Sequence, residues 1–133
     1  MKYMLMMHAP RAGWEKAGIG TWPQDDVKAH IGFMKRFSTE LSEAGELVAA
    51  EGLAGPERAR VVRAKANGAP EVTDGPFAEA KEFLAGYWIV DCESTERAYA
   101  IAARASAAPG KGGAPLNMPI EVREVMSAPP VDM

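Results

Sequence analysis

Two runs of this chain are apolar on both of their alternating faces. KYMLMMH, residues 2–8, puts Tyr3, Leu5 and Met7 on one parity and Met4 and Met6 on the other. FLAGYWIVDC, residues 83–92, reads as a second strand of the same buried kind. Side chains of a strand alternate from face to face, so such runs predict a sheet covered on both sides. Whatever fold the chain adopts must supply two covers.

One cover is legible. Over residues 25–44, Val27, Ile31, Met34, Phe37, Leu41 and Ala44 recur at steps of three and four, the spacing of an amphipathic helix. Asp25 and Asp26 fall in its first turn, where acids favour the positive helix end, and Gly45 stands where a C′ glycine would stop it. A second helix is predicted after Ser94, a good N-cap, with Ala98, Ile101, Ala102 and Ala105 on one stripe and Pro109-Gly110 ending it. ELVAAEGL (46–53) and IEVREVM (120–126) read as further strands. ARVVRAKA (59–66) and APEVT (69–73) flank Asn67-Gly68, a strong hairpin signal because both residues tolerate positive φ. Residues 9–23, with Pro10, Gly13, Gly18, Gly20 and Pro23, and residues 110–119 read as loops, and SAPPVDM (127–133) as a frayed tail. The order β-α-β-(hairpin)-β-α-β predicts an α+β fold of the ferredoxin-like split βαβ type in a single domain, residues 1–133. Two helices cover one sheet face, so the simplest second cover is another copy of the chain, a homodimer.

Composition narrows the function classes. The chain of 133 residues is 47% hydrophobic and 25% charged, with a formal net charge of −3, so nucleic acid and anionic membrane are poor partners. No apolar run approaches the ~20 residues of a membrane helix, and the N-terminal run is too brief for a signal-peptide core. A lone cysteine, Cys92, forms no internal disulfide, and a cytoplasmic location is expected. Acidic Asp91 and Glu93 beside it are expected to raise its pKa. Two distant histidines, His8 and His30, make no zinc site, and no Gly-x-Ser-x-Gly, Walker loop or His-Glu-x-x-His is present. No cofactor is expected.

The stretch TDGPFAEAKE, residues 73–82, resembles the signature of the DGPF group within the YCII-related domain family. KYMLMMHA, ELSEAGELVAAEGL, GYWIVD and IEVREVM are similar to other segments of that family, so the likeness spans nearly the whole chain. The resemblance implies a dimeric α+β barrel built from two ferredoxin-like subunits. It implies less about chemistry. The wider family is discussed as holding enzymes with a His and Asp pair in a pocket, one lineage of which eliminates halide from an aromatic ring. Some DGPF-type proteins are encoded beside, or fused to, extracytoplasmic-function sigma factors. The family's helix histidine falls on His30. Its pocket aspartate belongs to an Asp-Pro pair after the second helix, where this chain has Ala107-Ala108-Pro109. Asp74 of the DGPF signature is then the better carboxylate candidate.

Each candidate has a plain structural reading beside the functional one. His30 lies on or beside the apolar stripe of its helix, as a core histidine or as a pocket acid or base. Asp74 suits a turn or N-cap, and Gly75-Pro76 a strand-to-helix corner in which Phe77 would plug the core. Such a corner is also a rigid mount for a carboxylate. Lys81 is a solvated charge, or a partner of Asp74 or of an anionic ligand. Arg123, opposite in parity to Ile120 and Val122, is a sheet-face ion pair or a carboxylate clamp. His8 ends the first strand, at a site or in solvent. The expectation is a cofactor-independent proton transfer on a small organic molecule, isomerisation or elimination. His30 and Asp74 would be catalytic, and Lys81 and Arg123 would bind substrate. The rivals are a non-catalytic ligand-binding or regulatory module tied to sigma-factor-dependent transcription, and a purely structural dimer.

Overall fold

The apolar runs become the two central strands of one antiparallel sheet. In the computed structural model, which describes residues 1–77 and 79–126, β1 (Lys2–Pro10) pairs with β5 (Glu82–Asp91). β2 (Leu47–Gly52) flanks β5 and β6 (Ile120–Glu124) flanks β1, giving the order β2-β5-β1-β6. Helix α2 (Gln24–Glu43) joins β1 to β2 and helix α3 (Thr95–Ser106) joins β5 to β6. Each crossover steps over one intervening strand, so both βαβ units are split and the fold is α+β. Among the described residues, no helix is long and apolar enough to cross a membrane.

Both helices stop and start where local chemistry directs. Gly45 takes φ +73°, its N–H donates to Ser42 O, and Glu46 N–H donates to Leu41 O, which together close a Schellman motif at the end of α2. The Ser94 Oγ accepts the N–H of Arg97 at 3.1 Å and caps α3. All four residues of the alanine-rich stripe, Ala98, Ile101, Ala102 and Ala105, are buried. They share one apolar cluster with Phe37 and Leu41 of α2 and with Tyr3, Leu5, Trp88 and Val90 of the sheet. Small residues on α3 let its backbone approach that face closely. Arg97 donates from Nε and Nη2 to the two carboxylate oxygens of Glu46, at 2.9 and 2.7 Å, which ties α3 to the start of β2.

Two β-bulges set which side chains meet the helices. Met7 pairs with Gly86 but His8 pairs with Leu84, so Ala85 is an extra residue in β5. Odd-numbered Phe83 is buried before the bulge, and even-numbered Trp88 and Val90 face the core after it. Val48 is the extra residue of β2, so Leu47 and Ala50 both pack on the core while Glu51, paired with Tyr87, takes the opposite face. That opposite face carries Met4 against Ile89 and Met6 against Tyr87, all half-buried with no helix over them. The sheet is open, with β2 and β6 as its edges.

Three segments differ from the sequence-based expectation. Residues 9–23 are not a plain loop. They hold a short helix, α1 (Trp14–Ala17), and a 3-10 turn (Ile19–Thr21). Trp14 packs edge-on against Phe83, ring centroids 4.8 Å apart, and Trp22 Nε1–H donates to Ala17 O. The hairpin β3 (Arg60–Ala64) and β4 (Pro70–Asp74) forms as expected but stands as a separate two-stranded sheet. At its turn, Gly68 N–H donates to Lys65 O and only Gly68, at φ +85°, enters the left-handed region. A type I turn followed by a left-handed glycine therefore replaces a turn with two positive φ values. The expected fraying of 127–133 concerns residues outside those described.

The third difference is the Gly75-Pro76 corner. Its peptide bond is cis. Gly75 N–H donates to Ala59 O at 3.0 Å, and a Cβ on Gly75 would sit 3.2 Å from the Ala59 carbonyl carbon, so glycine is needed for this close approach. No helix follows. A single turn, Ala80 N–H to Phe77 O, leads into β5. Phe77 is 62% exposed, which corrects the expectation of a core plug. The corner is held instead by polar bonds. Arg11 Nη1 donates to Phe77 O and Ala80 O at 3.1 and 3.4 Å. The aromatic that closes the core at this end of β5 is Phe83, 7% exposed.

Candidate functional site

A cleft of about 760 Å³ lies between α2 and the helix-facing side of the sheet. This is within the ~300–1,000 Å³ of small-molecule sites. α2 contributes His30, Ile31, Met34, Lys35, Ser38 and Thr39 along one side. The sheet contributes Met7, Ala50, Phe83, Gly86 and Trp88. Trp14, Ile19 and Trp22 of the 11–23 segment line it too, as do Leu116 and Met118 from the connection between α3 and β6. The floor is open at Gly86 because that residue has no side chain. A Cβ there would lie 3.0 Å from the Glu51 carbonyl oxygen, so the close approach of β2 requires the glycine.

His30 is half-buried in this wall. Its Nδ1 lies 3.0 Å from Pro109 O, and its ring meets Trp22 edge-on at 5.6 Å. A carbonyl oxygen only accepts, so the Nδ1 must carry the proton and donate it. In its neutral form the imidazole presents a lone pair at Nε2, which has no hydrogen-bond partner among the described residues and retains contact with solvent space. The bond to Pro109 has a second stitch beside it. Asp26, one helical turn before His30, accepts Gly112 N–H at 2.9 Å and holds the 109–113 segment against α2. The ring is thus oriented by a backbone carbonyl, in the place where the sequence offers no aspartate.

The other three expected residues are not brought to this cleft. Asp74 is 95% exposed at its carboxylate and lies 3.7 Å from Arg60 Nε, across the β3–β4 hairpin. The neighbouring Gly75 and Pro76 line a separate cleft of about 640 Å³ together with Arg11 and Gly55, and Trp14 belongs to the walls of both clefts. Lys81 is exposed at the entry to β5, where its carbonyl accepts Arg11 N–H. Arg123 is exposed on the face opposite the helices, paired in register with Met4. On that same face His8 Nε2 and Glu121 Oε1 are 3.0 Å apart. Cys92 is buried, and burial is the main cause that pushes its thiol pKa up, with Glu46 a lesser contributor. The expected direction thus arises mainly from desolvation rather than from adjacent acids.

Sequence reasoning missed Trp14, Trp22, Lys35 and the Pro109 carbonyl. Two tryptophans within a glycine-rich loop were the available signal, because large amphipathic rings in a mobile-looking segment need a surface to pack on. The carbonyl has no sequence signature at all. Among the described residues, no three His, Cys, Asp or Glu side chains are grouped to hold a metal ion.

Comparison with known proteins gives two matches. The chain is 29% identical over 93 residues to an uncharacterized protein of Rhizobium meliloti (strain 1021), R00369, a stretch covering 70% of this chain and 74% of that one. The model of the YCII-related domain matches residues 1–114. The chain belongs to the YCII-related domain family.

Proposed function

We propose that the α2–sheet cleft binds a small organic molecule and that His30 transfers a proton there, in an isomerisation or elimination that needs no cofactor. The observation that carries this reading is the hydrogen bond from His30 Nδ1 to Pro109 O at the wall of an apolar cleft. It fixes ring and tautomer and leaves Nε2 as a positioned base. Asp74 has no part in this version, since its carboxylate stands on the exposed hairpin. Lys81 and Arg123 lie outside the cleft lining and serve no direct contact with the ligand.

The protein in this reading is a cytoplasmic homodimer. Half-buried Met4, Met6 and Ile89 on the uncovered sheet face support packing of two such faces into an α+β barrel. A second reading, a ligand-binding module without catalysis and linked to transcriptional control, is favoured by one observation. With Asp74 away from the cleft, His30 has no carboxylate partner among its hydrogen bonds.

The test is two-part. Long-range 1H–15N NMR of the neutral ring should show the Nδ1–H tautomer. Exchange of carbon-bound protons in D2O, over a panel of small carbonyl compounds, should slow about 10²–10⁴-fold in His30→Gln. An Nε2–H tautomer refutes the geometry. Exchange that ignores His30→Gln refutes the proton-transfer role, and binding without exchange favours the second reading.

A further inference from the structure

We infer that the ligand of the α2–sheet cleft is an aromatic or similarly flat apolar molecule carrying one negative charge, and that Lys35 reads that charge. The inference rests on the proposed ligand-binding role of the same cleft and names its substrate class.

The cleft is chemically divided along α2. Its His30 end is walled by flat rings. All three tryptophans of the chain line the cleft: Trp22 packs edge-on against His30 at this end, Trp14 of the same segment packs on Phe83, and Trp88 lies further along α2, edge-on to Phe37. Rings in edge and offset contacts favour a planar apolar guest over a flexible polar one. Lys35, Ser38 and Thr39 follow His30 on the same helix, one to two and a half turns further along, and they form the polar end.

The sign of the charge follows from strand parity. Three residues of the lining can carry a charge at neutral pH: His30, Lys35 and Glu51. Ala50 packs on the core, so its neighbour Glu51 sends its side chain to the opposite sheet face and meets the cleft through its backbone. Tyr87 alternates with buried Trp88 in the same way. His30 donates its Nδ1–H to Pro109 O and brings no negative charge to the cleft in either protonation state. Among the lining residues, Lys35 is then the one with a fixed positive side-chain charge on the helix side, and the hydroxyls of Ser38 and Thr39 in the next turn can donate to an oxyanion. An arene carboxylate placed with its ring among the tryptophans would reach it with the carboxylate. Its ring-side carbon–hydrogen or hydroxyl groups would lie toward His30.

The experiment uses tryptophan fluorescence, which reads the cleft directly because every tryptophan lines it. The full chain is titrated with 1-naphthoate, 1-naphthalenemethanol and 1-naphthylmethylamine, which share a body and differ in charge. We expect all bound probes to quench, with naphthoate bound about three- to tenfold more tightly than the alcohol and the amine weakest, the range of a charge-assisted contact that is partly solvent-screened. In Lys35→Met the preference should vanish while the alcohol binds as before, and in Lys35→Arg it should persist. A naphthoate preference that survives Lys35→Met, or equal affinity for all three probes in the native chain, overturns the assignment and leaves the ligand-binding reading standing. Failure of every probe to bind overturns both.

Discussion

Replacing Glu46 by Gln should cost about 2 kcal/mol of folding stability, and the structure brackets that figure. The Glu46 side chain is 14% exposed and the Arg97 side chain 34% exposed, joined by two bonds of 2.7 and 2.9 Å. A fully solvated ion pair is worth ~0.2–1 kcal/mol, and breaking a fully buried one costs ~3–5 kcal/mol. This pair lies between, nearer the surface on its arginine side. For a chain of this length about 2 kcal/mol corresponds to a fall in Tm of roughly 8 °C. The pair also imposes a pH dependence. Hydrogen bonding from Arg97 is the main cause that holds the Glu46 carboxyl below its ordinary value of 4.5, against an opposing contribution from burial. A carboxylate whose folded pKa is depressed binds fewer protons folded than unfolded. Its contribution is therefore complete above pH 4.5 and is lost as pH falls below that value through the lowered folded one. Urea unfolding of the native chain, Glu46→Gln, Arg97→Gln and the double variant, at neutral pH and in acid, measures both effects. A coupling energy under about 0.5 kcal/mol, or a native-minus-variant difference that does not shrink in acid, would refute the reasoning.

Three further outcomes are expected. Phe77→Ala should cost less than ~1 kcal/mol, far below the ~3–5 kcal/mol of a buried aromatic, because Phe77 is 62% exposed; a larger loss by chemical denaturation would return it to the core. Ser94→Ala should cost ~0.5–2 kcal/mol by removing the acceptor for Arg97 N–H, and Ser94→Asn should recover most of it, both read from thermal melts. Light scattering at micromolar concentration should give about twice 14.2 kDa, and a stable monomer would sink the barrel.

The parts of this fold that were legible in the sequence are those where one residue's own chemistry decides the outcome. Gly45 and Ser94 terminate and cap helices through local bonds that span three to five residues. The Ala98–Ala105 stripe announces its buried face by spacing alone. What was not legible depends on distant partners. Phe77 followed apolar character into the core on paper, yet the corner is held by Arg11, 66 residues away. α1 is a four-residue helix seated by a Trp14–Phe83 contact, too short for any periodicity to register. His30 was found as a candidate from resemblance and helix position, but its hydrogen-bond acceptor is a main-chain oxygen 79 residues away. Side-chain identity cannot encode such a partner, and the carboxylate that the sequence offers instead, Asp74, is placed elsewhere by the hairpin.

The extra residue in β5 has a consequence for how chains of this kind diverge. Ala85 shifts the numbering parity of the strand, so odd-numbered Phe83 shares a face with even-numbered Gly86, Trp88 and Val90. Deleting Ala85 would join Gly86, opposite Met7, directly to Leu84, opposite His8, and leave every remaining side chain on its present face. The ring that supports Trp14 would stay in the cleft. A gap of one position at this bulge is therefore a change of length without a change of binding-site composition. Chains of this architecture that differ by one residue here can still offer the same face to a guest.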